Sequence, residues 1–296
     1  MKVVIIGSNG LLANSIGKYC NEHLYWLEVV GLDQPTQHSY NKFTKLDLIN
    51  DVINYYDILD ADVIFYAAGA GIQANLKESC PLIYSLNVTV PIQIYNKLES
   101  LNYKGTFVSF GSYFEIGDNS ENHRFTENEI VSSIFNVPNE YCISKRMLSR
   151  FLQSKSQNVH HLHVIFPTIY GEKEAPHRII PYVINSIKNN LTPKFTSGEQ
   201  IRQYLYIDDV PPILFKAIIG NVYGLLNIAG INTLSIKNLI YLIYEHFQKV
   251  VPDNAFGAEE RKDVSMINLQ LDDTHLNSCL NDIHYTHIKQ VIDKYY

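Results

Sequence analysis

No apolar run in this 296-residue chain reaches the roughly 18 residues that a membrane-crossing helix needs, so an integral membrane protein is not expected. Cysteine is scarce. Cys20, Cys80, Cys142 and Cys279 form no C-x-x-C pair and no metal-type spacing, which fits reduced thiols better than a disulfide framework. Basic residues are in the minority: 24 Lys and Arg stand against 30 Asp and Glu, a formal charge of −6. That balance argues against a nucleic-acid partner, while a local Arg cluster could still take an anionic small molecule. No internal repeat or low-complexity linker is present. Residues 1–6 already read as a buried strand, so no secretory or transit leader is expected and the expected location is cytoplasmic. The length permits one large globular domain or two lobes.

What is present is an alternation of strand and helix. Val3–Ile6 is a continuous β-branched run, Leu11–Glu22 follows as an amphipathic helix, and Leu27–Leu32 is the next apolar strand. Lys42–Leu46, Asp62–Tyr66, Gly105–Phe110 and His161–Phe166 supply further strands, with helices expected at Ile49–Leu59, Pro81–Leu101 and Tyr141–Gln157. Such alternation predicts an α/β fold, a Rossmann-type doubly wound parallel sheet covered on both faces. Beyond Phe166 the order loosens, and a smaller, discontinuous C-terminal substrate lobe is expected. Residues 1–166 would form the dinucleotide-binding domain, with 202–229 returning to it through strands at Arg202–Ile207 and Tyr223–Ile228. Residues 167–201 and 230–296 would form the second lobe.

Gly7-x-x-Gly10-x-x-Ala13 joins the first strand to the first helix. Its first Gly permits a tight turn, its second lets a pyrophosphate approach the backbone, and the small third residue lets helix and strand pack closely. The plainer alternative is an ordinary βα turn. Asp33, about 20 residues further on at the end of the next strand, tips the balance, because a carboxylate there can accept from both adenosine-ribose hydroxyls. Its charge would repel a 2′-phosphate, so NAD(H) is favoured over NADP(H). A nearby Lys42 or Lys45 could offset that charge and leaves NADP(H) open. Asp47-Leu48 could contact adenine, or Asp47 could simply cap a helix.

Tyr141 and Lys145 stand one helical turn apart, and Ser112 ends an upstream strand. A free phenol, with a pKa of about 10, transfers protons poorly near neutrality. An ammonium at i+4 would pull that value down and make Tyr141 a usable acid or base. Ser112 could donate to a substrate oxygen, and Lys145 could hold the nicotinamide ribose. With 21 tyrosines in the chain, Y-x-x-x-K should occur about once by chance. It occurs twice, and the second copy, Tyr285 with Lys289, reads as an exposed terminal helix.

Over essentially its whole length the chain resembles an extended short-chain dehydrogenase/reductase of the nucleotide-sugar epimerase/dehydratase/reductase type. The resemblance rests on the Gly turn, Asp33, Asp47-Leu48, Asp62-Val-Ile-Phe-Tyr-Ala-Ala68, Asn87-Val88, Ser112-x-x-x-x-Gly117 and Tyr141-x-x-x-Lys145. It continues through Tyr170-Gly171, Arg178-Ile-Ile-Pro181, Gly198-Glu-Gln-Ile-Arg202 and Asn227-Ile-Ala-Gly230. It implies cofactor contacts at Gly7, Asn9, Gly10, Leu11, Leu12, Asp33, Asp47, Leu48, Ala67, Ala68, Tyr141 and Lys145. It implies a nucleotide-diphosphate sugar held by Ser112, Tyr113, Thr168, Arg178, Arg202 and Arg261, and a homodimer formed through the helices at Pro81–Leu101 and Tyr141–Gln157. Arg202 and Arg261 would grip the diphosphate, for which a forked guanidinium is chemically suited.

Departures from the family pattern narrow the chemistry. Thr168 stands where the family usually has Asn, and Glu115-Ile116-Gly117 replaces its Val-Tyr-Gly. The 4,6-dehydratases resembled here carry Asp-Glu directly after the catalytic Ser or Thr, where this chain has Tyr113-Phe114. Phe114 also stands where enzymes that epimerise beside the ketone commonly carry Cys. Reduction of a 4-keto group is the preferred expectation, on a further resemblance of Thr196-Ser-Gly-x-x-x-Arg202 to paratose and abequose synthases. A 4-epimerase with retained NAD is the alternative, followed by a 4,6-dehydratase and a non-catalytic dinucleotide binder. No metal is expected: His161 and His163 share a strand face without a third ligand, and Asp208-Asp209 reads as a helix cap.

Overall fold

The computed structural model describes residues 1–72, 77–155, 158–259 and 265–295. The first half runs β1 (Lys2–Ile6), α1 (Leu11–Glu22), β2 (Trp26–Gly31), β3 (Lys42–Lys45), β4 (Val63–Tyr66), α2 (Cys80–Tyr84), α3 (Val90–Ser100), β5 (Thr106–Ser112), α4 (Glu127–Ser132), α5 (Glu140–Gln153) and β6 (His160–Phe166). The second half runs β7 (Thr168–Tyr170), α6 (Ile179–Lys188), β8 (Ile201–Tyr206), α7 (Val210–Ile219), β9 (Gly224–Asn227), β10 (Asn232–Ser235), α8 (Ile236–His246), β11 (Asn268–Leu269), α9 (Thr274–Cys279) and α10 (Ile288–Val291).

Seven strands form one sheet in the order β3-β2-β1-β4-β5-β6-β9, and every pairing is parallel. Alternation along β1 explains its two covered faces. Val3 and Ile5 join a cluster with Ile16 and Cys20 of α1 and Ile213, Leu214 and Phe215 of α7, whereas Val4 and Ile6 join one with Ile94 and Leu98 of α3 and Leu148 and Leu152 of α5. Each large side chain fully buried there contributes roughly 1.5–3 kcal/mol, against the entropy of ordering the chain.

The expected doubly wound α/β sheet is therefore present, but Arg202–Ile207 does not return to it. β8 lies at the centre of a second sheet, antiparallel to β10 and parallel to β7 and β11. The strands expected to be isolated beyond Phe166 thus have partners, and α6 and α8 cover this sheet with Ile180, Val183, Ile184, Leu239, Ile240 and Ile243. The chain rejoins the main layer at α7, and β9 then takes the sheet edge as expected of Tyr223–Ile228.

Helix expectations fail in two places. Ile49–Leu59 is irregular apart from one 3-10 turn at Tyr55–Asp57. Asp47 accepts from the Ile49 N–H at 2.9 Å and from Asn50 at 2.7 Å, and Asp51 accepts from the Asp47 N–H at 2.8 Å, so short polar side chains outcompete the helical backbone. Pro81–Leu101 is interrupted between α2 and α3 by a π-turn over Ser85–Thr89. Pro91 has no N–H to donate to the carbonyl four residues back, and the helix widens just before it. Tyr285 lies outside α10, so the second Tyr-x-x-x-Lys pair does not share a helix face, and Lys289 pairs instead with Glu245 at 3.6 Å.

Gly230 joins the two sheets between β9 and β10, and a Cβ there would overlap the Tyr204 carbonyl oxygen in β8. The obstacle is backbone and cannot rotate away. Gly230→Ala is expected to lower stability by about 2 kcal/mol or more in urea denaturation, with the m-value unchanged.

Candidate active site

The turn after β1 is built around close approach. Gly7 adopts φ +102°, and a Cβ would lie 2.6 Å from the Ala68 amide nitrogen beyond β4. Gly10 is the N-cap of α1 and brings no side chain, so the first N–H groups of that helix have no side-chain acceptor, while nothing stands within 4 Å of where its Cβ would be. Ala13 packs underneath at 1% exposure. Such a helix start, open to solvent and lacking a cap, fits a pyrophosphate. Asn9, exposed, ties the turn to the Gln34 carbonyl at 3.2 Å, and Leu11 and Leu12 are half-buried behind it. Ala67 and Ala68 are half-buried at the same edge, and Asp33 is exposed just past β2.

Lys42 sits at the far end of β3, 3.5 Å from Glu28, and cannot offset Asp33, whereas Lys45 pairs with Gly31 in the register near it. Leu48 packs into the core beneath α3. Asp47 caps its own turn and no helix; those local donors hold its carboxyl below the usual range. Asp209 likewise makes no side-chain cap for α7 and accepts instead from Thr286 N and Oγ1 at 2.6 and 2.8 Å.

Ser112, Tyr141 and Lys145 do converge. The Asn139 side chain caps α5 by accepting from the Cys142 N–H at 3.1 Å, which starts the helix so that Tyr141 meets the end of β5. The Ser112 hydroxyl comes near enough to the Tyr141 phenol to favour its charged form. Lys145 donates to the Phe110 carbonyl at 2.8 Å, with its ammonium 5.7 Å from the Tyr141 ring centre.

The electrostatics correct the expectation about the phenol. Burial raises the Tyr141 pKa, with Ser112 and the Arg178 charge opposing, so the phenol is a protonated donor at neutral pH. Lys145 is itself pushed down to about 8 by burial, with Glu115 acting in the other direction.

The residues expected to hold substrate divide. Tyr113 is fully buried, its hydroxyl bonded to Thr168 Oγ1 at 2.5 Å, so these two serve each other within the fold. Arg178 precedes α6 beside the second sheet, pairs with Glu174 at 2.9 Å and donates to the Ile169 carbonyl at 2.9 Å, yet its charge reaches Tyr141. Arg202 is 4% exposed; its Nη1 donates to the Met266 carbonyl at 2.8 Å while its Nη2 has no partner among the described residues, a buried donor suited to an anion. Arg261 lies outside the described residues. His163 is buried between Ser109 and Ser149 and pushed down to about 3, and His161 stacks edge-on against Tyr95. The described residues contain no group of three or more potential metal ligands among His, Cys, Asp and Glu.

Residues 3–228 match the NAD dependent epimerase/dehydratase family. The chain belongs to that family. Its cofactor is accordingly NAD, which the open glycine turn and uncapped α1 fit. A dTDP-D-glucose 4,6-dehydratase of Dictyostelium discoideum is 27% identical over 76% of this chain, but the chain spans only 58% of that relative's length. A CDP-abequose synthase of Yersinia pseudotuberculosis is 24% identical, covering 71% of this chain and 70% of the relative. Among solved structures, a dTDP-glucose 4,6-dehydratase of Bacillus anthracis in complex with NAD superposes with TM-score 0.83 at 16% identity, covering 100% of this chain and 95% of that one. A UDP-N-acetylglucosamine 4-epimerase of Methanobrevibacter ruminantium has TM-score 0.82 at 19% identity, covering 99% and 97%. These identities establish the shared fold of this family member.

One residue that builds the site has no role that its motif alone assigns. Asn87, 1% exposed inside the π-turn, donates to the Ala70 carbonyl at 2.8 Å and Ser144 Oγ at 2.9 Å and accepts from the Ala70 N–H at 3.0 Å. It thereby ties the exit of β4 to α5. The signal was available as Asn87-Val88 but named no partner. Asn87→Ala would strand these groups in the interior and is expected to cost about 3 kcal/mol in thermal or urea unfolding.

Proposed function

We propose that this family member reduces the 4-keto group of a nucleotide-diphosphate-linked 6-deoxy sugar with NADH. The observation that carries this reading is the meeting of Ser112, Tyr141 and Lys145 at the end of β5, where burial favours the phenol form of Tyr141, the form that donates a proton to a new alkoxide. Elimination lacks its acid and base, because Tyr113 is sealed in the fold and the Glu115 carboxylate turns inward to the Ser112 N–H at 2.7 Å and Ser149 at 2.6 Å. The match to a CDP-abequose synthase supports the same choice.

Held at the Gly7 turn and the start of α1, the coenzyme would supply a hydride to the carbonyl carbon. Ser112 polarises and positions the carbonyl oxygen, and Tyr141 gives that oxygen its proton. Ser112 and Arg178 then stabilise the phenolate left behind. The unpartnered Arg202 Nη2 would take the substrate diphosphate, so that binding energy far from the ketone fixes the reacting geometry. Ile143 and Met147, 36% and 46% exposed on α5, favour a homodimer across α3 and α5; sedimentation equilibrium should then give twice the chain mass at micromolar protein, and a monomer there would remove this assignment.

Tyr141→Phe is expected to slow NADH oxidation by a nucleotide-linked 4-keto sugar by about 100-fold or more, with NADH affinity retained. Sugar interconversion by the wild-type protein without net NADH consumption would sink the reductase reading in favour of an epimerase. Cofactor binding with neither activity would leave a binder.

A further inference from the structure

Arg146 follows Lys145 on α5 and turns its guanidinium onto the backbone. Nε donates to the Glu115 carbonyl at 2.5 Å, Nη1 to the Phe135 carbonyl at 2.7 Å and Nη2 to the Ile116 carbonyl at 2.8 Å, with the Ser133 hydroxyl a further acceptor for Nη2 at 3.1 Å. Ser133 in turn donates to the Ile116 carbonyl at 2.6 Å. Two segments therefore meet at one side chain: the turn that leaves β5 and the stretch between α4 and α5. Gly117 makes room for that meeting. It adopts φ +88°, and a Cβ there would lie 2.6 Å from Arg146 Nη2 and 2.5 Å from the Asn136 carbonyl oxygen.

The turn gripped in this way is the one that Ser112 begins. Ser112 is the N-cap of a 3-10 turn over Tyr113–Glu115; its Oγ accepts from the Phe114 N–H at 3.3 Å, and the Ile116 N–H donates to the Tyr113 carbonyl at 3.1 Å. Because the oxygen accepts from its own turn, the orientation of the Ser112 hydroxyl follows the turn, and its proton is left to donate. Arg146 shares a helix with Tyr141 and Lys145, so its guanidinium links the helix that carries the phenol to the turn that aims the alcohol. We propose that Arg146 is a positioning residue, whose guanidinium holds α5 against the Ser112 turn and so fixes the spacing of the Ser112 hydroxyl from the Tyr141 phenol. This rests on the reading that those two groups act on one carbonyl oxygen. A planar fork of fixed charge suits the task, since an ammonium at the same place keeps the charge without the spread needed to hold three carbonyls from two segments.

Amide exchange in the NADH complex, read by mass spectrometry, reports on this link without any sugar. In Arg146→Lys the amides of residues 112–118 are expected to exchange about tenfold faster while NADH affinity is retained. Unchanged exchange overturns the proposal, as does a loss of NADH binding, which would mark a general collapse of the site. Turnover is the second readout. Well below the unfolding midpoint, Arg146→Lys should lower kcat for a nucleotide-linked 4-keto sugar by about 10- to 100-fold with KM little changed, the loss expected of a displaced reacting group. A merely structural role would lower the midpoint and leave the kcat of the folded protein at the wild-type value, and that result also overturns the proposal. If Arg146→Lys fails to fold, Ser133→Ala serves, since it removes one acceptor of Nη2 and one donor to Ile116; both readouts must then move in the same directions by smaller amounts. Faster exchange in a protein whose wild type reduces no keto sugar would leave the proposal standing and sink only the function proposed above.

Discussion

Because β1, β4, β5 and β6 pair in parallel and are buried on both faces, their carboxyl ends leave the sheet along one edge. The Gly7 turn, Ala67 and Ala68, Ser112 and the approach to β7 all emerge there. Parallel pairing also requires a crossover between neighbours, and those crossovers are the helices that carry the rest of the chemistry. α1 presents an uncapped N-terminus to the edge, and α5 brings Tyr141 and Lys145 to the end of β5. A change of register in β5 would move Ser112 away from α5 and turn its side chain to the other face.

Burial of its titratable groups decides the site's electrostatics. Tyr141, Lys145, Glu115 and His163 are each shifted toward the neutral form, with burial the largest cause in every case. A charge can persist among them only with partners, which is why hydroxyls and a glycine cluster around Glu115. The region around the second sheet contributes at long range through Arg178, steadied by Glu174, whose other oxygen accepts from Tyr295 at 2.6 Å. Residues from 112 to 295 in the chain thus bear on one phenol.

The strand-helix alternation was readable because buried parallel strands are continuous β-branched runs and helices repeat near every fourth residue. α1 matches its expected bounds, and the main-sheet strands fall within a residue or two of theirs. Failures came where short polar side chains or a proline decided the outcome locally, at Asp47–Asp51 and before Pro91, and where an apolar strand such as β8 had two sheets available. Apolar alternation tells that a strand is buried; it does not name its neighbour. Within the site, a motif places Tyr113 and Thr168 in the pocket, and only their 2.5 Å contact reveals that they bind one another.

From the sequence alone come the fold class, the dinucleotide turn and the Ser112, Tyr141 and Lys145 set, because each depends on local spacing that survives in one dimension. The sign of the Tyr141 shift, the inward turn of Glu115, the lone nitrogen of Arg202 and the route of β8 were decided by tertiary structure. Each depends on which distant groups exclude water or supply a partner, and dielectric and contact between distant parts of the chain leave no periodic trace in the order of residues.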